Sequence, residues 1–159
     1  MSEGQLSTLS VWGPPKSFFV SLEPILGGLQ EERSFKLREL RTDDIAGFLV
    51  KPICSFLSSS LIALYFGLNG NKDDEQVERY TEEQEEAFHL LTSLQVLEFS
   101  CGRELQSVQC LPAGLHRLTN LKTLRLSLCP SIQSLPKGGL PSSLERLEVT
   151  DCRSYNASL

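Results

Sequence analysis

One short phrase, leucine-x-x-leucine-x-apolar, recurs along this chain and constrains its fold more than any other feature. The phrase opens at Leu61, Leu94, Leu121 and Leu144, so that successive copies start 33, 27 and 23 residues apart. A unit of this length cannot bury its own apolar face, and such units become stable only when they stack and share a core. The repetition therefore predicts a solenoid built from stacked units.

The last position of the phrase indicates the kind of repeat. Asn69, Cys129 and Cys152 each stand three residues past the last apolar position, and only Gly102 departs from this pattern. The complete phrase is that of a leucine-rich repeat. We therefore predict an α/β fold, a leucine-rich repeat solenoid or horseshoe. Its concave face should be a parallel sheet and its convex side irregular, 3₁₀ or short helical.

The copies are regular only in the second part of the chain. Residues 61–159 hold the regular repeats, with strands expected near residues 63–66, 96–99, 123–126 and 146–149 and an acidic insertion over residues 71–91. Residues 1–60 are interpreted as degenerate N-terminal repeats, because Leu6 and Leu37 open the same spacing without completing it. The apolar run from Phe18 to Leu29 contains a proline and two glycines, which favours irregular backbone.

The acidic insertion carries eight carboxylates and ends with a helix signal. Thr81 and Gln84 have the spacing of a capping box, which predicts a helix over about residues 82–91. An acidic patch for a basic partner is the functional interpretation, whereas a solvated loop followed by a well-capped helix is the structural one, which we favour. Further along, Leu115, Leu118 and Leu121 recur at intervals of three, which predicts a tight helical or 3₁₀ turn against the core.

Composition and charge exclude several classes of function. The net charge is -5 and the basic residues do not cluster, which argues against a nucleic-acid partner. No apolar run reaches the roughly 18 residues of a membrane span, and the N-terminus lacks the pattern of a secretory signal. The five cysteines form no C-x-x-C pair, so we expect free thiols in a reducing, cytoplasmic compartment rather than disulfides or zinc.

No catalytic motif accompanies the repeats. The two histidines, His89 and His116, lack a cysteine, serine or carboxylate at a telling spacing and are interpreted as packing or surface residues. Phosphate-binding, serine-hydrolase and zinc-protease motifs do not occur in the sequence. We expect no enzyme, no cofactor and no metal site.

The expected binding surface is the concave face of the sheet. Because side chains alternate along a strand, residues between the inward leucines form rows across neighbouring strands. The predicted binding residues are Tyr65, Glu98, Arg125 and Glu148 in a central row, Val96, Thr123 and Arg146 beside it, and Ser100, Ser127 and Thr150 in a third row. Arg125 is expected between two glutamates. Such a row is either an ion ladder that steadies the sheet or a recognition surface, and both interpretations stay open.

Three runs of sequence, Tyr80–Leu94, Leu111–Leu124 and Ser134–Leu144, resemble the C-terminal repeats of plant intracellular immune receptors. These are the nucleotide-binding leucine-rich repeat (NLR) disease-resistance proteins, particularly the cereal coiled-coil type. The resemblance implies recognition of a pathogen effector or a guarded host protein, and autoinhibitory contact with a receptor nucleotide-binding domain. The family's phosphate loop and coiled coil do not occur in this sequence, so the resemblance carries over neither ATP binding nor switching.

Two other functions are compatible with the repeats. One is a substrate-receptor or scaffold protein of ubiquitin ligation, although no adaptor-binding helical motif is found near the N-terminus. The other is a truncated remnant without activity of its own. A solenoid needs polar caps, and the last repeat is followed by only the start of a connection, so we expect a fragment with an exposed final apolar layer.

Overall fold

A single parallel sheet organises the part of the chain that the computed structural model describes, which is residues 6–13, 18–22, 37–68, 80–101, 111–127, 136 and 138–150. Its six strands are β1 (Thr8–Val11), β2 (Glu39–Thr42), β3 (Ala63–Leu68), β4 (Val96–Cys101), β5 (Thr123–Ser127) and β6 (Arg146–Thr150). Strands that are neighbours in the sheet are also neighbours in the sequence. This open parallel sheet with few helices is a solenoid-like α/β arrangement, as the repeats predicted.

The leucine phrase sets the register of the sheet. Each strand pairs with the next so that the same phrase positions face each other; Leu64, for example, is opposite Leu97. The second leucine is at most 1% exposed in β2, β3, β4 and β5, at Leu40, Leu64, Leu97 and Leu124. A slip of one residue would turn all of these side chains to the opposite face, so the buried row specifies the register strongly. The strands predicted in the second half begin at the same residues as β3 to β6.

One hydrogen-bond arrangement is repeated where each strand joins the next. The carbonyl oxygen of Gln95 accepts hydrogen bonds from the amides of Lys122 and Thr123, at 2.8 and 3.0 Å. The equivalent carbonyls at the other four junctions are those of Ser7, Arg38, Ile62 and Lys122. Each of them accepts two amides from the following strand, so neighbouring repeats are joined in the same geometry along the whole sheet.

Short helices cover one face of the sheet. They are α1 (Ile45–Phe48), α2 (Lys51–Leu57), α3 (Glu82–His89) and a 3₁₀ turn at Leu115–Arg117. Their apolar side chains and those of the strands form one continuous buried cluster. Four phenylalanine rings run through it, with centroid separations of 5.9 Å for Phe19–Phe48, 6.1 Å for Phe48–Phe66 and 5.4 Å for Phe66–Phe99.

The expectation of irregular backbone over Phe18 to Leu29 is wrong for its first residues. Residues 18–22 are helical. Phe19 is buried, and Phe18 and Leu22, one helical turn apart, pack partly against the core. Core contact at this helical spacing outweighs the proline and glycine signal that follows it; residues 23–29 lie outside the described residues.

The capping box predicted for the acidic insertion is confirmed. The Gln84 amide donates to Oγ1 of Thr81 at 3.1 Å, and the Thr81 amide donates to Oε1 of Gln84 at 2.9 Å. These bonds satisfy two amides that have no partner within α3, while first-turn glutamates suit its positive end. The remaining acidic residues of the insertion, at 71–79, lie outside the described residues.

The tight turn predicted from the leucines at intervals of three is also confirmed. The 3₁₀ turn begins at Leu115, and Leu115, Leu118 and Leu121 are at most 1% exposed. Asn69, Cys129 and Cys152, which identified the repeat in the sequence, lie outside the described residues. None of the helices in the described ranges has the length and apolar character that crossing a bilayer requires.

Candidate functional site

The face of the sheet opposite the helices, here called the outward face, brings the predicted binding residues together in rows. Strand register places Tyr65, Glu98, Arg125 and Glu148 side by side in the central row. Val96, Thr123 and Arg146 follow Ala63 in a second row, and Ser100, Ser127 and Thr150 follow Gly67 in a third. All ten predicted site residues therefore share one face of one sheet.

Exposure distinguishes this outward face from the core. The predicted binding residues on β3, β4 and β5 are half-buried, and Arg146 and Thr150 on β6 are exposed. Ala63 is the exception at 9% exposure, because its short side chain lies below its neighbours. The face is therefore a shallow, accessible surface rather than a pocket.

The outward face extends over β1 and β2, which the sequence-based site did not include. Register places Ser10 and Arg41 in the central row beside Tyr65, and Thr8 and Glu39 in the row of Ala63. The Arg41 guanidinium lies over the Tyr65 ring, 4.7 Å from its centroid, and also pairs with the Glu39 carboxylate at 2.8 Å. Cation–π contact and an ion pair together orient this arginine at the surface.

Trp12 completes an aromatic patch at this end of the outward face. The Trp12 ring packs against Gly67 of β3, so closely that a Cβ atom at Gly67 would lie 2.6 Å from two ring atoms. Trp12 is nevertheless 50% exposed. The backbone turns at Gly13, whose φ is 58° and whose amide donates to both carboxylate oxygens of Asp43 at 2.9 Å. Trp12, Arg41 and Tyr65 are therefore presented together, and we call this group the aromatic patch.

At the other end of the outward face the charges are paired. Arg125 Nε donates to Oε2 of Glu148 at 2.7 Å, and Arg146 approaches Oε1 of the same carboxylate at 3.6 Å. The sequence predicted Arg125 between two glutamates, but Glu98 forms no ion pair within the part of the chain that the structure describes. Glu148 has a cation near each of its oxygens, an arrangement that Glu98 lacks among the described residues.

The histidine and cysteine side chains that could take part in catalysis pack against neighbouring residues instead. His89 packs against Gly114, and its buried Nε2 has no hydrogen-bond partner among the described residues; His116 packs against Gly138. Cys54 is buried, and this burial raises the pKa of its thiol to about 12. The described residues contain no group of three or more histidine, cysteine or acidic side chains suited to a metal ion.

An ion pair on the helical side ties two repeats together. Lys51 of α2 contacts Glu86 of α3, and their hydrogen bond raises the pKa of Lys51 and lowers that of Glu86. Glu85 of the same helix accepts hydrogen bonds from the amides of Ala113 and Gly114, at 2.8 and 3.2 Å. Part of the acidic helix thus has a structural role in joining successive repeats.

Counting along the phrase could have placed both Arg41 and Trp12 on the outward face, although it could not have identified the contact that Trp12 makes. Leu37 opens the phrase, so Arg41 occupies the position that Tyr65 occupies one repeat later. Trp12 lies beyond the end of β1, and its contact with Gly67 crosses two strand spacings. Nothing local in the sequence marks that contact.

Comparison with known proteins gives a weak and partial similarity. A stretch of 68 residues, 43% of this chain, is 31% identical to the disease resistance protein RPS4 of Arabidopsis thaliana. The inactive disease resistance protein RPS4 of the same species matches to the same extent, and the match covers 5% of the length of either relative. No protein-family model matches the chain, and no solved structure does. The chain is thus weakly similar, over less than half of its length, to a plant disease resistance protein that is far longer than itself.

Proposed function

We propose that this chain is a leucine-rich repeat recognition module of an intracellular plant disease-resistance receptor. On this proposal it binds another protein through the outward face of its sheet and catalyses no reaction. The proposal rests on the strand register, which assembles side chains from six repeats into one accessible surface. The similarity to a plant disease resistance protein supports the biological setting.

The sheet supports the repeat assignment in physical terms. Six parallel strands in sequence order, each joined to the next through the same doubly accepting carbonyl, are what stacked identical units produce. A solenoid of this kind presents an extended surface of side chains rather than a closed cavity, which suits a macromolecular partner. The partners that fit the proposal are a pathogen effector, a guarded host protein or a receptor nucleotide-binding domain.

The composition of the outward face suits protein recognition. Tryptophan, tyrosine and arginine dominate the energetics of protein interfaces, and all three occur in the aromatic patch. Arg41 and Tyr65 are already ordered by their mutual contact, which reduces the entropy lost when a partner binds. Glu98, which has no ion pair within the described ranges, adds a carboxylate beside this patch. We therefore place the centre of the contact at Trp12, Arg41, Tyr65 and Glu98.

The experiment measures the affinity of the immobilised full chain for purified candidate partners: pathogen effectors, guarded host proteins and receptor nucleotide-binding domains. Trp12→Ala with Tyr65→Ala should weaken binding of a true partner by about tenfold or more, because a tenfold loss needs only about 1.4 kcal/mol. The matched control is Glu82→Gln with Glu83→Gln, two exposed side chains on α3. An affinity that is unchanged by the outward-face substitutions but reduced by the helix substitutions would contradict the proposed surface.

A further inference from the structure

Glu98 lies near the middle of the outward face and is surrounded mostly by short residues. Strand register places Tyr65 on one side of it and Arg125 on the other. The six remaining neighbouring positions, along β4 and diagonally across β3 and β5, hold glycine or short side chains: Val96, Ser100, Ala63, Gly67, Thr123 and Ser127. A side chain of another protein can therefore approach the Glu98 carboxylate over short neighbours.

Two aromatic rings lie on the β3 side of this position. Tyr65 is next to Glu98 in the central row, and the Trp12 ring packs against Gly67, which is diagonal to Glu98. The Tyr65 ring already has the Arg41 guanidinium over it, 4.7 Å from the ring centroid. Trp12 adds a half-exposed indole, the ring that attracts cations most strongly. The surroundings of Glu98 therefore suit a guanidinium group.

The charges of the outward face point to a cation from a partner. Arg125 is held by Glu148 through a hydrogen bond of 2.7 Å, and Arg41 is held by Glu39 at 2.8 Å. Glu98 forms no ion pair with any of the described residues. Its carboxylate belongs to a half-buried residue, where a charge interaction is screened less by water and salt than it is at a fully exposed one. A positively charged group is therefore the complement of this position.

We propose that the outward face binds an arginine side chain of a partner protein, whose guanidinium pairs with the Glu98 carboxylate beside the rings of Tyr65 and Trp12. Arginine fits better than lysine, because a planar guanidinium can stack on a ring and also donate two parallel hydrogen bonds to a carboxylate. Arginine is also enriched among the residues that dominate the energetics of protein interfaces. This inference rests on the proposed function and specifies the chemistry of the partner.

The test titrates a blocked peptide of three residues with a central arginine into the isotopically labelled full chain, followed by NMR. One control peptide has citrulline, which has nearly the same shape as arginine but no charge, and another has lysine. Glu98→Gln removes the charge with almost no change in size. The matched control is Glu83→Gln, which makes the same change on α3. The amide spectrum of each variant verifies that it is folded.

The arginine peptide should give saturable shifts at the amides of Tyr65 and Glu98, and it should bind about fivefold or more tightly than either control peptide. Glu98→Gln should weaken its binding about fivefold or more, because the charge-assisted hydrogen bonds are lost, whereas Glu83→Gln should leave it unchanged. Three results would each overturn the proposal. They are the lack of saturable shifts, equal affinity for the arginine peptide and either control peptide, and an affinity that Glu98→Gln does not change.

The binding measurements with candidate protein partners separate this inference from the proposed function. A partner whose affinity falls with Trp12→Ala and Tyr65→Ala but not with Glu98→Gln would support the outward face as the binding surface and overturn the arginine contact. If the arginine peptide binds at Glu98 but no candidate partner binds the chain, the arginine site stands and the proposed function loses its support.

Discussion

Leu124 and Arg125 are adjacent residues with opposite environments, since side chains alternate along β5. Leu124 is fully buried among leucines of the neighbouring strands, while Arg125 lies half-exposed on the outward face and pairs with Glu148. The same alternation assigns a role to each residue of the phrase. Leucines of the phrase stabilise the stack, whereas the residues between them lie on the accessible outward face.

Replacing these two residues separately should give unequal losses of stability. Leu124→Ala should lower the free energy of unfolding by about 2–5 kcal/mol, because it leaves a cavity in the core. Arg125→Ala should cost no more than about 1 kcal/mol, since its ion pair is partly exposed. Urea unfolding followed by circular dichroism measures both. Equal losses would mean that the inward and outward assignments are wrong.

The buried thiol of Cys54 should make the folded state sensitive to alkaline pH. Its Sγ lies 3.5 Å from the carbonyl oxygen of Phe48, and burial raises its pKa from 9.0 to about 12. Between these values the unfolded chain releases a proton that the folded chain retains, so stability falls as the pH rises.

Comparison with Cys54→Ala isolates this effect, because the other ionisable groups are the same in both proteins. Above about pH 9, the unfolding free energy of the wild type should fall more steeply, by up to about 1.4 kcal/mol per pH unit. Denaturant unfolding at a series of alkaline pH values measures the two slopes. Parallel slopes would show that the thiol is accessible in the folded protein.

At the scale of elements, close contacts between a histidine and a glycine recur between successive repeats. His89, at the end of α3, packs against the backbone at Gly114, and His116 of the 3₁₀ turn packs against Gly138. Any side chain at these glycines would collide with the imidazole ring. The helix and the turn can therefore approach the next repeat closely only where that repeat has no Cβ atom.

The two glycines should differ in their tolerance of alanine. His89 is half-buried and cannot leave its site freely, so Gly114→Ala should cost about 1–3 kcal/mol through overpacking. His116 is exposed and its ring can rotate into solvent, so Gly138→Ala should cost less. Thermal unfolding of the two variants provides the comparison. A larger loss for Gly138→Ala would contradict the assigned freedom of His116.

At the scale of the whole molecule, the core is a single cluster that runs from Val11 in β1 to Leu126 in β5. Solenoids are stabilised by contacts between neighbouring repeats, so a defect in one repeat is transmitted through these interfaces. Trp12, the only tryptophan, reports on the β1 end of this cluster. It is therefore a natural probe of whether the described repeats unfold together.

Tryptophan fluorescence and far-UV circular dichroism should give the same unfolding midpoint, as expected for a two-state transition. Leu124→Ala, four strands away in β5, should lower both midpoints equally. A tryptophan midpoint that does not change in this variant would show that the β1 end unfolds independently. The comparison requires no binding partner.

The sequence by itself determined where the strands begin, which residues face the core and which side chains share a row. These features follow from a local period of two and from a phrase that recurs, so counting along the chain is sufficient. The capping box at Thr81 and the 3₁₀ turn at Leu115 were equally local and equally predictable. The alternation also assembled all ten predicted site residues on one face, although whether that face binds a protein stays a prediction.

Only the tertiary structure decided which of these neighbours interact. It paired Arg125 with Glu148 and gave Glu98 no ion pair among the described residues, although the two glutamates flank Arg125 in the same row. It placed Trp12 over Gly67 and formed a helix at residues 18–22. Each of these outcomes depends on distances between side chains that are far apart in the chain, and a repeating local pattern contains no information about such distances.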